Sequence, residues 1–183
     1  SAAEADAIAQ ANALGATGVI AAGNSNADVA NFSPANCPGA IAVASNGITS
    51  RRAYYSNYGT GIDVSAPGGG VYPNDASSGS QIDDGFVWQA VNPSTTAPTP
   101  LASFTNVPTG GTAGTSQASP HVAGVVALMQ GARLAAELPL LTPEEVLDVL
   151  KRTVTPFTVA PSTSQPIGPG IVNAGAAVMK AIE

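Results

Sequence analysis

A serine at the start of an apolar helical segment is the strongest candidate for chemistry in this sequence. Ser116 follows the turn residue Gly114, and the apolar stretch after it predicts a helix from Thr115 to about Gln130. The N-terminus of a helix presents free backbone N–H groups and the positive end of the helix dipole. These groups stabilise an oxyanion that forms beside the serine, so the position suits a nucleophile for acyl transfer. Taken alone, such a serine is more often a simple helix cap.

The single histidine of the sequence is badly placed to act as a base for that serine. His121 lies five residues after Ser116 on the same predicted helix. Five residues rotate a helix by about 140° beyond one full turn and advance it by about 7.5 Å, so the two side chains face different directions. We therefore expect His121 to be a buried, hydrogen-bonded residue. A serine hydrolase built on Ser116 needs a histidine base from elsewhere.

Short apolar segments alternate with helical ones around this helix, which is typical of an α/β fold with a mainly parallel sheet. Strands are predicted for four segments: residues 18–22, 40–44, 54–58 and 62–65. Helices are predicted for three segments: residues 1–15, 115–130 and 173–182. A fourth helix begins at Thr142, which caps it, with Pro143 at the first helical position. Residues 71–113 lack a regular apolar period and predict a long loop or insert.

Composition argues against two classes of partner. The chain has 183 residues, of which 44% are apolar and 10% charged, with a formal net charge of −6. Six Lys and Arg residues are too few for a basic face that binds nucleic acid. The longest apolar stretch, Val122 to Met129, is far shorter than the about 20 residues that span a membrane. We therefore expect no nucleic-acid partner and no membrane insertion.

Separate segments along the chain resemble, in the same order, motifs of the subtilisin-like serine proteases, the subtilases. The nucleophile motif of that family is similar to residues 114–124, GTSQASPHVAG, with Gln117 where the family most often has Met. Five other segments match: AAGN at 21–24, NFSPA at 31–35, YSNYG at 55–59, IDVSAPG at 62–68 and IGPGIVNA at 167–174. The resemblance implies an α/β fold, specifically the C-terminal part of a three-layer domain with a mainly parallel sheet and helices on both faces.

The resemblance also implies roles for individual residues. Ser116 is then the nucleophile of a serine endopeptidase, and Asn24 donates its side-chain amide to the oxyanion together with the Ser116 backbone N–H. The primary substrate pocket is formed by four residues: Ala21, Ala22, Gly23 and Phe32. For Phe32, ordinary core packing is an equally good explanation. The substrate is a peptide or protein.

The catalytic Asp and His of the family lie upstream of the segment that matches this chain. None of the Asp residues here lies in a motif of the catalytic Asp. We therefore expect residues 1–183 to form the C-terminal portion of a single catalytic domain, with the N-terminal part of the same protease as its partner. By the same resemblance, Cys37 is a disulfide candidate to that upstream segment, and a buried free thiol is the alternative. The resemblance implies a secreted protein.

Two other functions stay open at this point. A catalytically incomplete subtilase fragment could serve as a structural or binding unit. A lipase-like hydrolase would require a catalytic histidine after the nucleophile, and His121 is the only histidine available. No cofactor is required and no metal ligand is assigned. Structural calcium is common in subtilases, and three acidic sites, Asp63, Asn74-Asp75 and Asp83-Asp84, offer oxygen ligands, although a solvated acidic loop explains them as well.

Overall fold

Four α-helices and three β-strands make up the regular structure of residues 1–89 and 111–183, the residues that the computed structural model describes. In chain order they are α1 (Ala2–Ala13), β1 (Val19–Ala21), β2 (Ile41–Asn46), β3 (Val64–Pro67), α2 (Thr115–Ala135), α3 (Pro143–Arg152) and α4 (Ala174–Ala181). Short 3₁₀ helices lie in the connections, at Val29–Asn31, Pro73–Asp75 and Asp83–Gly85.

The three strands form a parallel sheet in the order β1-β2-β3. Val19 lies opposite Ile41, and Val43 lies opposite Val64. All six residues of β2 are buried, as expected for the central strand of a parallel sheet that is covered on both faces. The predicted α/β class with a parallel sheet is confirmed, and the bounds of β1 and β2 differ from the prediction by at most two residues.

Each face of the sheet contributes to a separate hydrophobic cluster. On one face, Val122 and Met129 of α2 are completely buried against sheet residues such as Ile41 and Val43. α3 and α4 contribute further side chains to this cluster. On the other face, Val29 of a 3₁₀ helix is part of a second cluster, together with Ala22 and Ala42 among others. Complete burial of one such aliphatic side chain contributes about 1.5–3 kcal/mol.

The sequence of α2 is apolar nearly all round and so predicts a buried helix, and this prediction is wrong. Leu128 is 58% exposed and Leu134 is 63% exposed. Gly124 and Gly131 have no neighbouring atom within 4 Å of the position that a Cβ would occupy. The reason is that, within the described residues, α2 packs against the sheet and α4 along one side of the helix. Its other side is an unpartnered apolar face, a feature typical of contact surfaces.

The predicted start of α3 is confirmed in atomic detail. The Thr142 hydroxyl accepts a hydrogen bond from the Glu145 N–H at 3.3 Å, and the Glu145 carboxylate accepts one from the Thr142 N–H at 2.8 Å. This reciprocal capping lowers the pKa of Glu145, because the backbone bond favours the ionised carboxylate. Asn173 caps α4 in a similar way by accepting the Ala176 N–H. α1 ends before Gly15, whose φ of 84° fits the predicted helix stop.

The predicted strand at residues 54–58 is wrong. Its backbone groups bind the loop that follows β1 rather than a neighbouring strand. The Asn57 N–H donates to the Gly23 carbonyl at 2.8 Å, and the Tyr58 N–H donates to the Ala27 carbonyl at 3.1 Å. The chain therefore follows the shape of this loop, which a regular strand could not do.

The predicted strand at 62–65 and the predicted loop at 71–113 are each confirmed in part. β3 begins at Val64, two residues after the start of the predicted strand at 62–65. The predicted loop at 71–113 is described at its two ends, where it contains two 3₁₀ helices and an antiparallel bridge between Val87 and Thr112. The rest of that prediction, residues 90–110, lies outside the described residues.

The Tyr55 hydroxyl connects β2 to the glycine-rich segment that follows β3 through hydrogen bonds. Its hydroxyl lies 2.8 Å from Ser45 Oγ, and 2.8 Å and 2.5 Å from the carbonyl oxygens of Gly68 and Gly69. Burial raises the pKa of Tyr55 to about 12. Because the folded protein holds this proton more tightly than the unfolded chain, whose tyrosine titrates near 10, the stabilisation is complete below pH 10. It is lost as the pH rises from 10 to 12.

Substitution of Tyr55 by phenylalanine is expected to lower the free energy of unfolding at pH 8 by about 1–2 kcal/mol, because buried carbonyl groups lose a donor. It should also reduce the further loss of stability between about pH 10 and 12. Chemical denaturation at pH 8 and pH 11 measures both effects, with Tyr54→Phe at the exposed neighbouring tyrosine as the matched control. An unchanged alkaline loss of stability in Tyr55→Phe would contradict the assignment.

Candidate active site

Three segments meet at the carboxyl end of the sheet. Gly23 and Asn24 follow the end of β1, and Gly68 follows the end of β3. The Gly114 N–H donates to the Gly68 carbonyl at 2.8 Å, which places the start of α2 at the same edge. In open parallel sheets, this edge is where ligands commonly bind.

Ser116 lies in the first turn of α2 and is exposed. The backbone N–H groups of a first helical turn have no carbonyl partner within the helix, so the Ser116 N–H is available to a bound group. Pro120 lies one turn further along and has no N–H for the Ser116 carbonyl. The serine therefore has an accessible hydroxyl beside an N–H that the helix does not use.

Asn24 is held by the residue that precedes the serine. Its Oδ1 accepts a hydrogen bond from the Thr115 N–H at 2.9 Å and another from the Thr115 hydroxyl at 2.9 Å. The same hydroxyl accepts the Gly23 N–H at 3.1 Å, and Thr115 is completely buried. Because both Thr115 donors bind Oδ1, the amide nitrogen Nδ2 must face the other way.

Two nitrogen donors lie close to one position beside the serine. A Cβ atom built on Gly114 would be 3.3 Å from Asn24 Nδ2 and 3.7 Å from the Ser116 backbone nitrogen. It would also be 3.0 Å from Oε1 of Gln117. A glycine at 114 leaves this position free of a side chain. The Asn24 amide and the Ser116 N–H therefore lie near one another beside Gly114, and a pair of N–H donors of this kind can stabilise an oxyanion.

The predicted substrate-pocket residues lie together. Ala21, Gly23 and Phe32 are half-buried, while Ala22 is completely buried in the core. Gly23 has a φ of 103°, and a Cβ at this residue would be 3.7 Å from Cδ1 of Phe32. The Phe32 ring therefore lies beside the Ala21–Gly23 segment, where a pocket wall was expected.

A model of the subtilase family matches residues 1–173 of the chain. The chain belongs to the subtilase family. It is 42% identical over 177 residues to an extracellular protease of Xanthomonas campestris pv. campestris. It is 36% identical over 165 residues to an extracellular basic protease of Dichelobacter nodosus. A solved protease structure from Pseudoalteromonas arctica PAMC 21717 has 39% identity and a TM-score of 0.77.

These relatives are longer than the chain. The two alignments cover 97% and 90% of this chain but 26% and 23% of the extracellular proteases. The Pseudoalteromonas structure is matched over 97% of this chain and 46% of its own. The chain therefore spans about a quarter of the length of the curated relatives and just under half of the solved protease.

His121 differs in part from the expectation for this subtilase. It is hydrogen-bonded, since its Nδ1 lies 2.7 Å from the Gln117 carbonyl oxygen of the preceding turn. It is exposed rather than buried, so that part of the prediction is wrong. The physical reason is that His121 lies on the side of α2 that no described element covers. No hydrogen bond between His121 and Ser116 is present among the described residues.

The long loop at 71–113 contributes to a pocket beside the first turns of α2, which the sequence did not predict. Val87 and Gln89 from this loop line a shallow pocket of about 220 Å³ on the exposed side of α2. The pocket is completed by Gln117, Pro120 and His121. Gln117 therefore lies close to Gly114 and also lines this pocket.

Gln117 is expected to make the subtilase resistant to peroxide. The amide cannot be oxidised, whereas a methionine at this position would become a bulky polar sulfoxide next to Ser116. Gln117→Met should lose about 90% of its activity in peroxide under conditions in which the native enzyme loses little. Oxidation of Met179, which is 64% exposed, provides an internal control for peroxide exposure in both proteins by mass spectrometry. Equal inactivation of both proteins would contradict this prediction.

Two of the acidic residues considered for calcium, Asp63 and Asp75, have protein partners. Asp63 accepts the Ala42 N–H at 2.9 Å and forms an ion pair with Lys151 at 2.6 Å. Asp75 is buried and accepts the Thr49 N–H at 2.9 Å. Within residues 1–89 and 111–183, no group of three His, Cys, Asp or Glu side chains could hold a metal ion.

In the same part of the chain, no helix has the length and apolar character needed to cross a bilayer.

Two residues that hold the site together were not assigned a role from sequence. Thr115 lies inside the nucleophile motif, directly before Ser116, and fixes the Asn24 side chain. Asn57 lies in the YSNYG segment and binds the Asn24 loop from the opposite side. The sequence signal for both was their place in a family motif, which does not say what each side chain contacts.

Proposed function

We propose that this chain carries the nucleophile and the oxyanion hole of a secreted serine endopeptidase. The observation that carries the proposal is the free position beside Gly114, with Asn24 Nδ2 at 3.3 Å and the Ser116 nitrogen at 3.7 Å. A hydroxyl nucleophile beside two N–H donors is what acyl transfer from a peptide requires. Membership of the subtilase family supports the same reaction class.

In the proposed reaction, Ser116 Oγ attacks the carbonyl carbon of the scissile peptide bond while its proton passes to a histidine. The carbonyl oxygen takes up the negative charge and accepts hydrogen bonds from Asn24 Nδ2 and the Ser116 N–H. The C–N bond then breaks, the histidine returns the proton to the leaving amine, and an acyl ester on Ser116 remains. Water hydrolyses this ester through the same steps, with the histidine again taking a proton.

The histidine and its carboxylate partner come, in this proposal, from the N-terminal part of the same protease. His121 does not fit the role because it lies five residues after Ser116 on the same helix, where the two side chains face different directions. The relatives also carry more protein than this chain, which spans 26% and 23% of their length. The two parts would together form one catalytic domain, of which residues 1–183 are the C-terminal portion.

Two surfaces of the chain support a contact with that N-terminal part. β1 lies at the edge of the sheet and pairs with β2 on one side, so its other edge can accept a further strand. The exposed face of α2 carries Gly124 and Leu128, which lie one helical turn apart and continue the apolar surface along the helix away from Ser116. A partner that covers both surfaces could bring a histidine to the side of α2 on which Ser116 lies.

The proposed substrate is a peptide or protein with an apolar side chain before the cleaved bond. The Phe32 ring and the alanine-rich segment 21–23 supply an apolar wall without a charged group.

The alternative function is a catalytically incomplete subtilase fragment that serves as a structural or binding unit. The endopeptidase and the incomplete fragment have the same fold. They differ in whether the Ser116 hydroxyl attacks a substrate.

Labelling of the full protein with an organophosphonate probe tests the proposed function. We expect covalent modification of the peptide that contains Ser116, found by mass spectrometry, and none in Ser116→Ala. Absence of labelling in a sample that contains both parts of the protease, with correct folding shown by circular dichroism, would favour the incomplete fragment. Denatured protein is the control for non-specific reaction.

Cys37 is expected to form a disulfide with the N-terminal part of the protease. It is 8% exposed, and its Sγ lies 3.6 Å from Ser33 Oγ. A secreted protein meets oxidising conditions, which favour such a bond. Peptide mapping of the full protein without reduction should find the Cys37 peptide linked to a second cysteine peptide. A Cys37 thiol that reacts with an alkylating reagent after denaturation, before any reduction, would contradict this prediction.

No cofactor takes part in the proposed reaction. Structural calcium remains a proposal, and at Asp63 it would have to displace the Lys151 ammonium group, 2.6 Å away. Thermal stability measured with calcium and with a chelator tests this point.

A further inference from the structure

Asn57 is a completely buried asparagine whose side chain spans the loop that carries Asn24. Its Oδ1 accepts the Ser25 N–H at 2.9 Å and the Ala27 N–H at 3.1 Å. Its Nδ2 donates to the Ala22 carbonyl at 2.8 Å. The three bonds bind the backbone on both sides of Asn24: two residues before it, one residue after it and three residues after it.

We propose that Asn57 is the positioning residue of the oxyanion hole and holds Asn24 at the place where its Nδ2 can meet the oxyanion. This inference rests on the proposed function of Asn24. Asn57 does not touch the reacting atoms in this proposal. It acts through the backbone of the 22–27 loop, and the effect of its loss appears in the transition state of the acylation step.

The close approach of the two segments shows how tightly the loop is held. The Asn57 N–H donates to the Gly23 carbonyl at 2.8 Å. A Cβ on Gly23 would lie 2.4 Å from Asn57 Nδ2, a distance that no side chain could occupy without a shift. Gly23 also has a φ of 103°, in the region that favours glycine. The loop at residues 22–27 is therefore packed in direct contact with the Asn57 side-chain amide.

Asn57 and Thr115 fix different parts of the same residue. Thr115 binds the Asn24 side chain through Oδ1, at 2.9 Å from both donors. Asn57 binds the backbone before and after Asn24. The Thr115 hydroxyl also accepts the Gly23 N–H, and backbone groups of residues 55–58 bind the same loop, so the Asn57 amide adds three bonds to a loop that already has other anchors. An error of about 1 Å in the position of a catalytic group can reduce the rate about 100-fold, so these three bonds matter for catalysis.

The primary amide is the side chain that suits this position. It offers one acceptor to two N–H groups and one donor to a carbonyl, with all three bonds in a buried site. An ionised aspartate has nearly the same shape but replaces the donor by an oxygen, which would face the Ala22 carbonyl without a hydrogen bond. Asn57→Asp therefore removes one anchor of the loop while retaining the packing.

A double-mutant cycle between Asn57 and Asn24 in the full protease tests the inference. Asn57→Asp is expected to reduce kcat about 10–100-fold with less than a threefold change in KM. In the Asn24→Ala background, the same substitution should change kcat less than about twofold, because the donor that it positions is already gone. The same fold-change in both backgrounds would mean a structural role independent of Asn24 and would overturn the inference.

Ser56→Ala is the matched control for buried polar substitutions in this segment. Ser56 is also completely buried, and its hydroxyl binds the Ser45 N–H and the Asn57 carbonyl rather than the 22–27 loop. It is expected to lower thermal stability while changing kcat less than about threefold in either background. A kcat loss in Ser56→Ala as large as in Asn57→Asp would also overturn the inference.

Amide hydrogen exchange in the native protein tests the same contacts without a variant. Ser25 is exposed, so its N–H should exchange quickly unless Asn57 holds it. We expect protection of the Ser25 and Ala27 amides by at least about 100-fold over the unstructured rate. Rapid exchange at both amides would overturn the inference even if no Asn57 variant folds.

The failure of the inference and the failure of the proposed function give different results. If the native protease is not labelled at Ser116 by the phosphonate, both fall together. In another case, Ser116 is labelled and Asn24→Ala loses activity, but Asn57→Asp reduces kcat by the same factor in both backgrounds. The proposed function then stands, and the positioning role of Asn57 is rejected.

Discussion

Replacement of Ser116 by alanine is expected to reduce kcat of the full protease by at least about 10⁴-fold, with little change in KM. The variant lacks the oxygen that forms the acyl ester, while the peptide can still bind beside Ala21–Gly23. Ser116 is exposed at the start of α2, so the substitution should leave the fold intact. Hydrolysis of a peptide substrate under saturating conditions measures the loss, and thermal denaturation shows whether the fold is kept.

Ser119→Ala is the matched control for this substitution. Ser119 lies on the same helix and is half-buried, without a position in the proposed reaction. Its variant should keep kcat within about threefold of the native value. Residual activity of Ser116→Ala above about one thousandth of the native kcat, in a preparation shown to be free of native enzyme, would exclude Ser116 as the nucleophile.

The position of Ser116 at the start of a helix was predictable from sequence because it depends on local structure. A serine two residues after a glycine, followed by an apolar helical stretch, is placed at a helix N-terminus by local structure alone. Ser116 occupies that position in the structure. The central parallel strand was predictable for a similar reason, since Ile41–Asn46 begins within the short, continuous apolar run at residues 40–44.

The parts that sequence missed depend on contacts between distant residues. The segment at 54–58 has the composition of a strand, yet its backbone binds a loop about 30 residues earlier. The apolar pattern of α2 does not say which side of the helix has a neighbour, so the exposure of Leu128 could not be predicted. The bond from Thr115 to Asn24 joins residues 91 positions apart, and no local pattern encodes it.

Replacement of Asn24 by alanine is expected to reduce kcat about 10²–10³-fold, which is the loss that subtilisin shows when its corresponding oxyanion-hole asparagine is removed. KM should change less than about threefold, because the lost hydrogen bond forms in the transition state rather than in the bound substrate. The substitution also removes the acceptor of the Thr115 N–H and hydroxyl, so thermal denaturation must accompany the kinetics to show that the fold is kept. Asn36→Ala is the matched control, since Asn36 is another exposed asparagine with one bond to a backbone carbonyl.

Asn24→Asp separates the donor from the rest of the side chain. The aspartate keeps an oxygen for the N–H and hydroxyl of Thr115, which bind Oδ1 at 2.9 Å in the native protein. It places a second oxygen where Nδ2 lies, 3.3 Å from the free position beside Gly114. Like charges repel, so an ionised aspartate must stabilise the oxyanion less well than alanine does. We therefore expect kcat of Asn24→Asp to be below that of Asn24→Ala above about pH 5 and to approach it as the carboxylate is protonated. A kcat for Asn24→Asp that equals the native value would mean that Nδ2 does not bind the oxyanion, because the variant differs from asparagine in that donor.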